Sequence, residues 1–149
     1  MNREIAELFA KVEQAREKSA EMAAKLCDAL GNGKISEKEL KAISKAAGNA
    51  TKAFRQAMDI AFKARSQARR EAASKWGFRP HDQFIVMGDM RGRISSHRTI
   101  DDAIKAAKRD RQTCRHQGAG AYSDVLVYQI DLDGELHPVD EHAYENQKE

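Results

Sequence analysis

Through the first half of this chain, small and apolar residues recur in alternating steps of three and four, until Trp76-Gly77-Phe78-Arg79-Pro80 stops the pattern. Steps of three and four keep one side of an α-helix in line, so each run defines a helix with a single apolar seam. The first seam reads Ile5, Leu8, Val12, Ala15, Ser19, Met22, Leu26 and Ala29. The second reads Leu40, Ile43, Ala47, Ala50, Phe54, Ala57, Ala61, Ala64 and Ala68. Seams this rich in alanine let two helix backbones approach closely but bury little per residue. An antiparallel, coiled-coil-like helical hairpin over residues 1–75 follows, with a junction at 76–82. Aromatic residues are 6% and charged residues 33% of the 149, which argues against one large compact core.

The connector Gly31-Asn32-Gly33-Lys34-Ile35-Ser36 supplies glycines for a helix end and a reversal. Ser36 followed by Glu39 spells a capping box that opens the second helix. That helix, from about Glu37 to Lys75, would be roughly 55–60 Å long at ~1.5 Å per residue. It outruns the first by several turns, so its far end needs cover from the following unit or from a second copy. The mismatch in length points to a homodimer. Gly48-Asn49 is a weak point inside it, costing about 1 kcal/mol for the glycine.

Beyond the junction the periods change. Gln83–Met87 reads as a buried strand, Arg91-Gly92 as a turn and Arg93–Ser95 as a return strand. Thr99 with Asp102 starts a helix whose buried face is Ile100, Ala103, Ile104, Ala107 and Cys114, ending near His116. Gly118-Ala119-Gly120 breaks it. Tyr122–Leu132 is the strongest strand, with Val125, Val127 and Gln129 on one face and Leu126, Tyr128 and Ile130 on the other. Asp133-Gly134 turns the chain into a return strand, Leu136–Val139. The fold class expected is α+β: the hairpin, then a small ββαββ antiparallel sheet with one covering helix over 83–140, then a polar tail over 141–149. Trp76 and Phe78 are expected to plug the junction.

Charge is distributed unevenly although the formal net charge is only +3. Residues 31–80 carry twelve Lys/Arg against four Asp/Glu, and residues 120–149 carry one against eight. Lys38, Lys41, Lys45, Lys52, Arg55 and Lys63 recur at helix-related steps and would form one positive ridge suited to phosphate. Arg65, Arg69 and Arg70 make its densest part. Arg91, Arg93 and Arg98 form a second candidate group, where helix N-terminal amides could help hold an anion against the opposition of Asp101 and Asp102. The same basic surfaces would suit an acidic protein.

Signatures of catalysis are weak. The five histidines include no helical pair with a carboxylate between, and His97 beside Ser95 and Ser96 has no assignable orienting acid. A non-enzymatic protein without a cofactor is expected. Asp131-Leu132-Asp133-Gly134 has metal-like letters that an acidic β-turn also explains. Cys27 and Cys114 lack zinc or redox spacing and read as two reduced thiols of a cytoplasmic protein. No apolar run reaches membrane length.

Asp28 through Glu39 resembles an EF-hand calcium loop, with Asp28, Asn32, Ser36 and Glu39 at ligand positions, Gly33 at the turn and Ile35 at the apolar position. Leu30 departs from it where the third ligand belongs. The glycine turn and capping box account for the same letters. The overall style, an Ala-rich hairpin around Gly33-Lys34-Ile35-Ser36-Glu37 followed by a compact α/β unit, is similar to small accessory or regulatory proteins of phages and mobile elements. That resemblance implies a stoichiometric binder: a nucleic-acid-associated regulator, or an inhibitor or adaptor of a host complex such as an anti-CRISPR or other anti-defence protein.

Overall fold

The computed structural model describes residues 2–89, 91–118 and 124–146. The elements in order are α1 (Arg3–Gly31), α2 (Glu37–Trp76), β1 (Phe84–Gly88), β2 (Gly92–His97), α3 (Ile100–His116), β3 (Val125–Ile130), β4 (Leu136–Pro138) and α4 (Glu141–Asn146). The architecture is α+β, a helical hairpin followed by a ββαββ antiparallel unit. Two compact units divide the chain at Asn2–Arg65 and Ser66–Glu149, so the division falls inside α2.

In the first unit, every position of the predicted seams, as far as Ala64, is buried or half-buried. Ile5, Val12 and Ala29 are the fully buried residues of α1, and Ala47, Ala50 and Ala61 those of this stretch of α2. Antiparallel packing brings Phe9 edge-on to Phe62 at 5.6 Å and Ser19 to Thr51 at 3.2 Å between hydroxyl oxygens. The capping box closes as its letters require. Glu39 N–H donates to Ser36 Oγ, and Glu39 Oε2 accepts from Ser36 N–H at 3.1 Å and from its hydroxyl at 2.7 Å. Neither Gly31 nor Gly33 adopts positive φ, so the reversal does not use the glycine freedom expected there.

In the second unit, Gly77 at φ +72 ends α2, its N–H returning to Ala73 O at 2.7 Å. The chain then builds a four-stranded sheet in the order β2-β1-β3-β4, antiparallel at every pairing. A bulge between Val86 and Met87 shifts the β1–β2 register. Because β2 and β3 flank β1, they run in the same direction, and a connection between parallel strands must cross the sheet. α3 is that crossover. It covers one face, where Phe84, Val86, Val125 and Val127 pack with Ala103, Ile104 and Ala107.

The other face is covered too, which differs from the single covering helix expected. Phe78, Ile85 and Ile130 cluster there with Ala72, Ala73 and Trp76. Trp76 and Phe78 therefore serve as junction residues. The overhang of α2 finds its cover on this sheet, so helix length alone no longer calls for a second copy. Two-sided burial also explains why β1 is apolar at four consecutive positions rather than alternating.

Residues 141–146 form a helix where a polar tail was expected. Glu141 is bound by Arg111 of α3, Glu145 by Lys108, and Tyr144 packs against the α3-side core. The expected start of β3 at Tyr122, Ala119 and Gly120 of the glycine break, and Lys148 lie outside the described residues.

Candidate nucleic-acid interface

α2 turns its alanine seam toward α1, and helical geometry puts Lys38, Lys41, Lys45, Lys52, Arg55 and Lys63 on the opposite side. All six are exposed. Lys41 pairs with Glu37 at 2.6 Å, and among the described residues the other five meet no carboxylate within ion-pair distance. Asp59 is the sole acid between Leu40 and Arg70. From Lys38 to Lys63 the face runs roughly 35–40 Å at ~1.5 Å per residue.

The three arginines expected to be strongest separate into different roles. Arg65 is half-buried with its guanidinium 3.9 Å from the centre of the Phe9 ring, a packing contact of the hairpin. Arg69 donates to the backbone carbonyls of Asp131 and, at 2.8 Å, of Asp82, and lies over the Phe78 ring. It is an internal tie of the second unit, not part of a ridge. Arg70 is exposed and donates to Ser66 O of its own helix at 3.2 Å.

The second candidate group divides as well. Arg91 forms a two-pronged pair with Asp110 of α3, which raises its pKa further and commits it to the fold. Arg93 is exposed beside Gly77, where an added β-carbon would stand 3.1 Å from its Nε. Arg98 is exposed and contributes charge near Asp82. The amides at the start of α3 are not open to an anion in the way expected. Thr99 Oγ1 accepts from Asp102 N–H and donates to Asp102 Oδ2 at 2.8 Å.

Asp82 is a buried acid that sequence reasoning missed. Burial alone would raise its pKa. The Ser96 hydroxyl at 2.6 Å, the Arg79 N–H at 2.9 Å and the charges of Arg79 and Arg98 outweigh that and hold it below the ordinary value. Its role is structural, joining the junction to β2.

Three arrangements bear on metals or chemistry. Ser95 Oγ and His97 Nε2 lie 2.8 Å apart on β2, closer than adjacent loop residues were expected to come. Ser96 turns instead to Asp82, and among the described residues no carboxylate orients His97. Asp131, Glu135 and His137 bring one donor atom each within 4.8 Å of one another. Asp131 Oδ1 is occupied by the amides of Asp133 and Glu135, while Oδ2 meets His137 Nε2 at 3.1 Å. Burial would raise the Asp131 pKa, but His137 and the two amides bring it below the ordinary value. That set locks the β3–β4 turn. The EF-hand-like letters are engaged in the fold as a helix end and a capping box: Asp28 is in the last turns of α1, Asn32 accepts from Lys34 N–H, Glu39 is held by Ser36, and Gly33 lacks the positive φ of a loop glycine.

A cleft of about 800 Å³ lies beside α4 in the second unit, lined by Lys108, Arg111 and Arg115 and by Asp124, Asp140 and Glu145 among others. Two of its cations are bound by α4 carboxylates, so the cleft does not present one sign of charge. Among the described residues no helix is long and apolar enough to cross a membrane. No family model, curated protein or solved structure matches this chain.

Proposed function

We propose that this protein is a non-enzymatic nucleic-acid-binding protein that contacts phosphate through the lysine-rich face of α2. One observation carries the reading. Lys38, Lys45, Lys52, Arg55 and Lys63 line up exposed and without carboxylate partners among the described residues, while Arg69, Arg91 and Arg111 are bound into the fold. A face kept only for solubility would accept interspersed acids and gain i,i+4 pairs from them. Between Leu40 and Arg70 this one has Asp59 alone, which pairs with neither Arg55 nor Lys63, and its one i,i+4 pair is Lys41–Glu37 at the start of the helix. A row of cations without aromatic platforms follows a sugar-phosphate backbone and does not read bases.

The test is fluorescence anisotropy of labelled duplex DNA and single-stranded RNA at two salt concentrations. The α2 face is expected to contribute about −4 to −5 to the log–log slope of duplex binding against salt, as five phosphates would give. The variant Lys45→Gln/Lys52→Gln/Arg55→Gln/Lys63→Gln should keep its circular dichroism and lose most of the affinity. Absence of binding by the unaltered protein at low salt would overturn the proposal.

A second reading is a stoichiometric inhibitor or adaptor docking on a protein. Ile60 and Phe62, about half exposed beside Lys63, favour it, because phosphate would make no use of them. Retention of a partner that Ile60→Ser abolishes, with no binding to nucleic acid, is the outcome that would select it.

A further inference from the structure

We propose that the second unit carries its own phosphate-binding face, on the outer side of α3, which makes the protein a two-site binder of nucleic-acid backbone. This rests on the nucleic-acid reading of α2 and extends it to residues that reading does not use. α3 buries Ala103, Ile104, Ala107 and Cys114. Helical geometry then turns Lys105, Arg109, Gln112 and His116 to the opposite side, in steps of four, three and four. All four are exposed, and exposed Arg115, which also lines the cleft beside α4, lies next to them.

The fold sorts the cations on α3, with Arg91 packed against it, into two sets. Arg91 is bound by Asp110, Lys108 by Glu145 and Arg111 by Glu141. Among the described residues Lys105, Arg109 and Arg115 receive no carboxylate. The acids of α3 are all elsewhere: Asp101 and Asp102 in its first turn, where Asp102 serves the Thr99 cap, and Asp110 against Arg91. A helix favours cations near its C-terminus through the backbone dipole, and that accounts for Arg115 and His116 in the last turn. The effect fades within that turn, so it gives no reason for Lys105 and Arg109. Gln112 between them adds amide donors of the kind that bond phosphate oxygens. The complementary partner is a run of backbone phosphates.

The test uses the full chain and the salt dependence of duplex binding. Lys105→Gln/Arg109→Gln/Arg115→Gln should leave the circular dichroism unchanged and make the log–log slope shallower by about 2–3, for three lost phosphate contacts. Lys105→Arg should keep the original slope. With the four α2 cations already replaced by Gln, weak binding with a slope of about −3 to −4 should remain, from Lys38 and the three α3 cations, and the three α3 changes should remove most of it. A slope unchanged by the α3 variant, in a protein whose binding depends on α2, would overturn the second face and leave the α2 reading standing. Loss of all salt-dependent binding on changing α2 alone would also overturn it. A wild-type protein that binds no nucleic acid would bring down both readings, and selective retention of an acidic protein by the α3 face would count against phosphate as its partner.

Discussion

Gly134 lies directly against Ala72: a β-carbon on the glycine would stand 2.5 Å from the Ala72 β-carbon. The β3–β4 turn is thereby pressed onto the last turns of α2, and Arg69 Cα would be only 3.1 Å from the same atom. Gly134 also has φ +89, a conformation that costs a side-chain-bearing residue about 1–2 kcal/mol. Overpacking against backbone adds about 1–3 kcal/mol. Gly134→Ala should therefore lose roughly 2–5 kcal/mol in urea unfolding. Gly92→Ala is the control, since Gly92 has φ +68 but no atom within 4 Å, and should lose only the conformational part. Ala72→Gly in the Gly134→Ala background should recover part of the loss, a non-additivity read from the double-mutant cycle. Equal effects of the two glycine changes would show that the close approach is not there.

Arg69 and Arg70 are neighbours of the same charge with opposite consequences. Replacing Arg69 by Gln leaves the carbonyls of Asp131 and Asp82 without their shared donor and uncovers the Phe78 ring. Hydrogen bonds to a charged group are worth about 1.5–3 kcal/mol each, so a loss on the order of 3 kcal/mol is expected. Arg70→Gln should change stability by less than about 0.5 kcal/mol, as an exposed surface substitution does. Thermal unfolding of the two variants decides it. A combined change of Arg65, Arg69 and Arg70 is therefore a poor probe of binding, because it unfolds what it means to test.

This division was invisible to a reading of charge and period. Both carbonyl partners of Arg69 belong to segments that no side-chain pattern links to it. The pairs Arg91–Asp110 and Arg111–Glu141 likewise join distant stretches, and only the fold shows that these cations are occupied. α4 was hidden for the same reason, because a short polar segment becomes a helix here through ion pairs to α3 and the packing of Tyr144. The seams, the Ser36–Glu39 capping box and the stop at Gly77 were legible because each is local. The second cover of the sheet also had a signal: Phe84-Ile85-Val86-Met87 is apolar on both sides and so requires both faces to be covered.

Asp82 gives the protein an acid-sensitive joint. Its pKa is depressed in the fold, so its contribution is fully present above the unfolded value of 3.8 and is lost as pH falls through the folded value. Asp131, depressed in the same way, adds to the effect in the same window. Stability should thus hold between pH 7 and 5 and decline below about 4. Asp82→Asn should be less stable at pH 7, yet fall less steeply between pH 5 and 3. Parallel curves for the two proteins would assign the acid sensitivity elsewhere.

Gly48 offers the opposite kind of change. It sits inside α2, exposed, without positive φ, and a β-carbon added there would meet no atom within 4 Å. Glycine at such a place loses more backbone freedom on folding than alanine and gives no contact in return. Gly48→Ala should add about 0.5–1 kcal/mol. In a chain of this size that is a rise of roughly 2–4 °C in Tm, provided the first unit unfolds together with the rest. The position also lies on the outer side of the helix between Lys45 and Lys52, where a methyl group leaves all the ridge cations in place. If α2 meets phosphate there through side chains alone, the variant should bind duplex DNA as the unaltered protein does. A stabilised variant with weakened binding would instead show that the backbone at Gly48 approaches the nucleic acid closely, and that the glycine is kept for contact at the expense of stability.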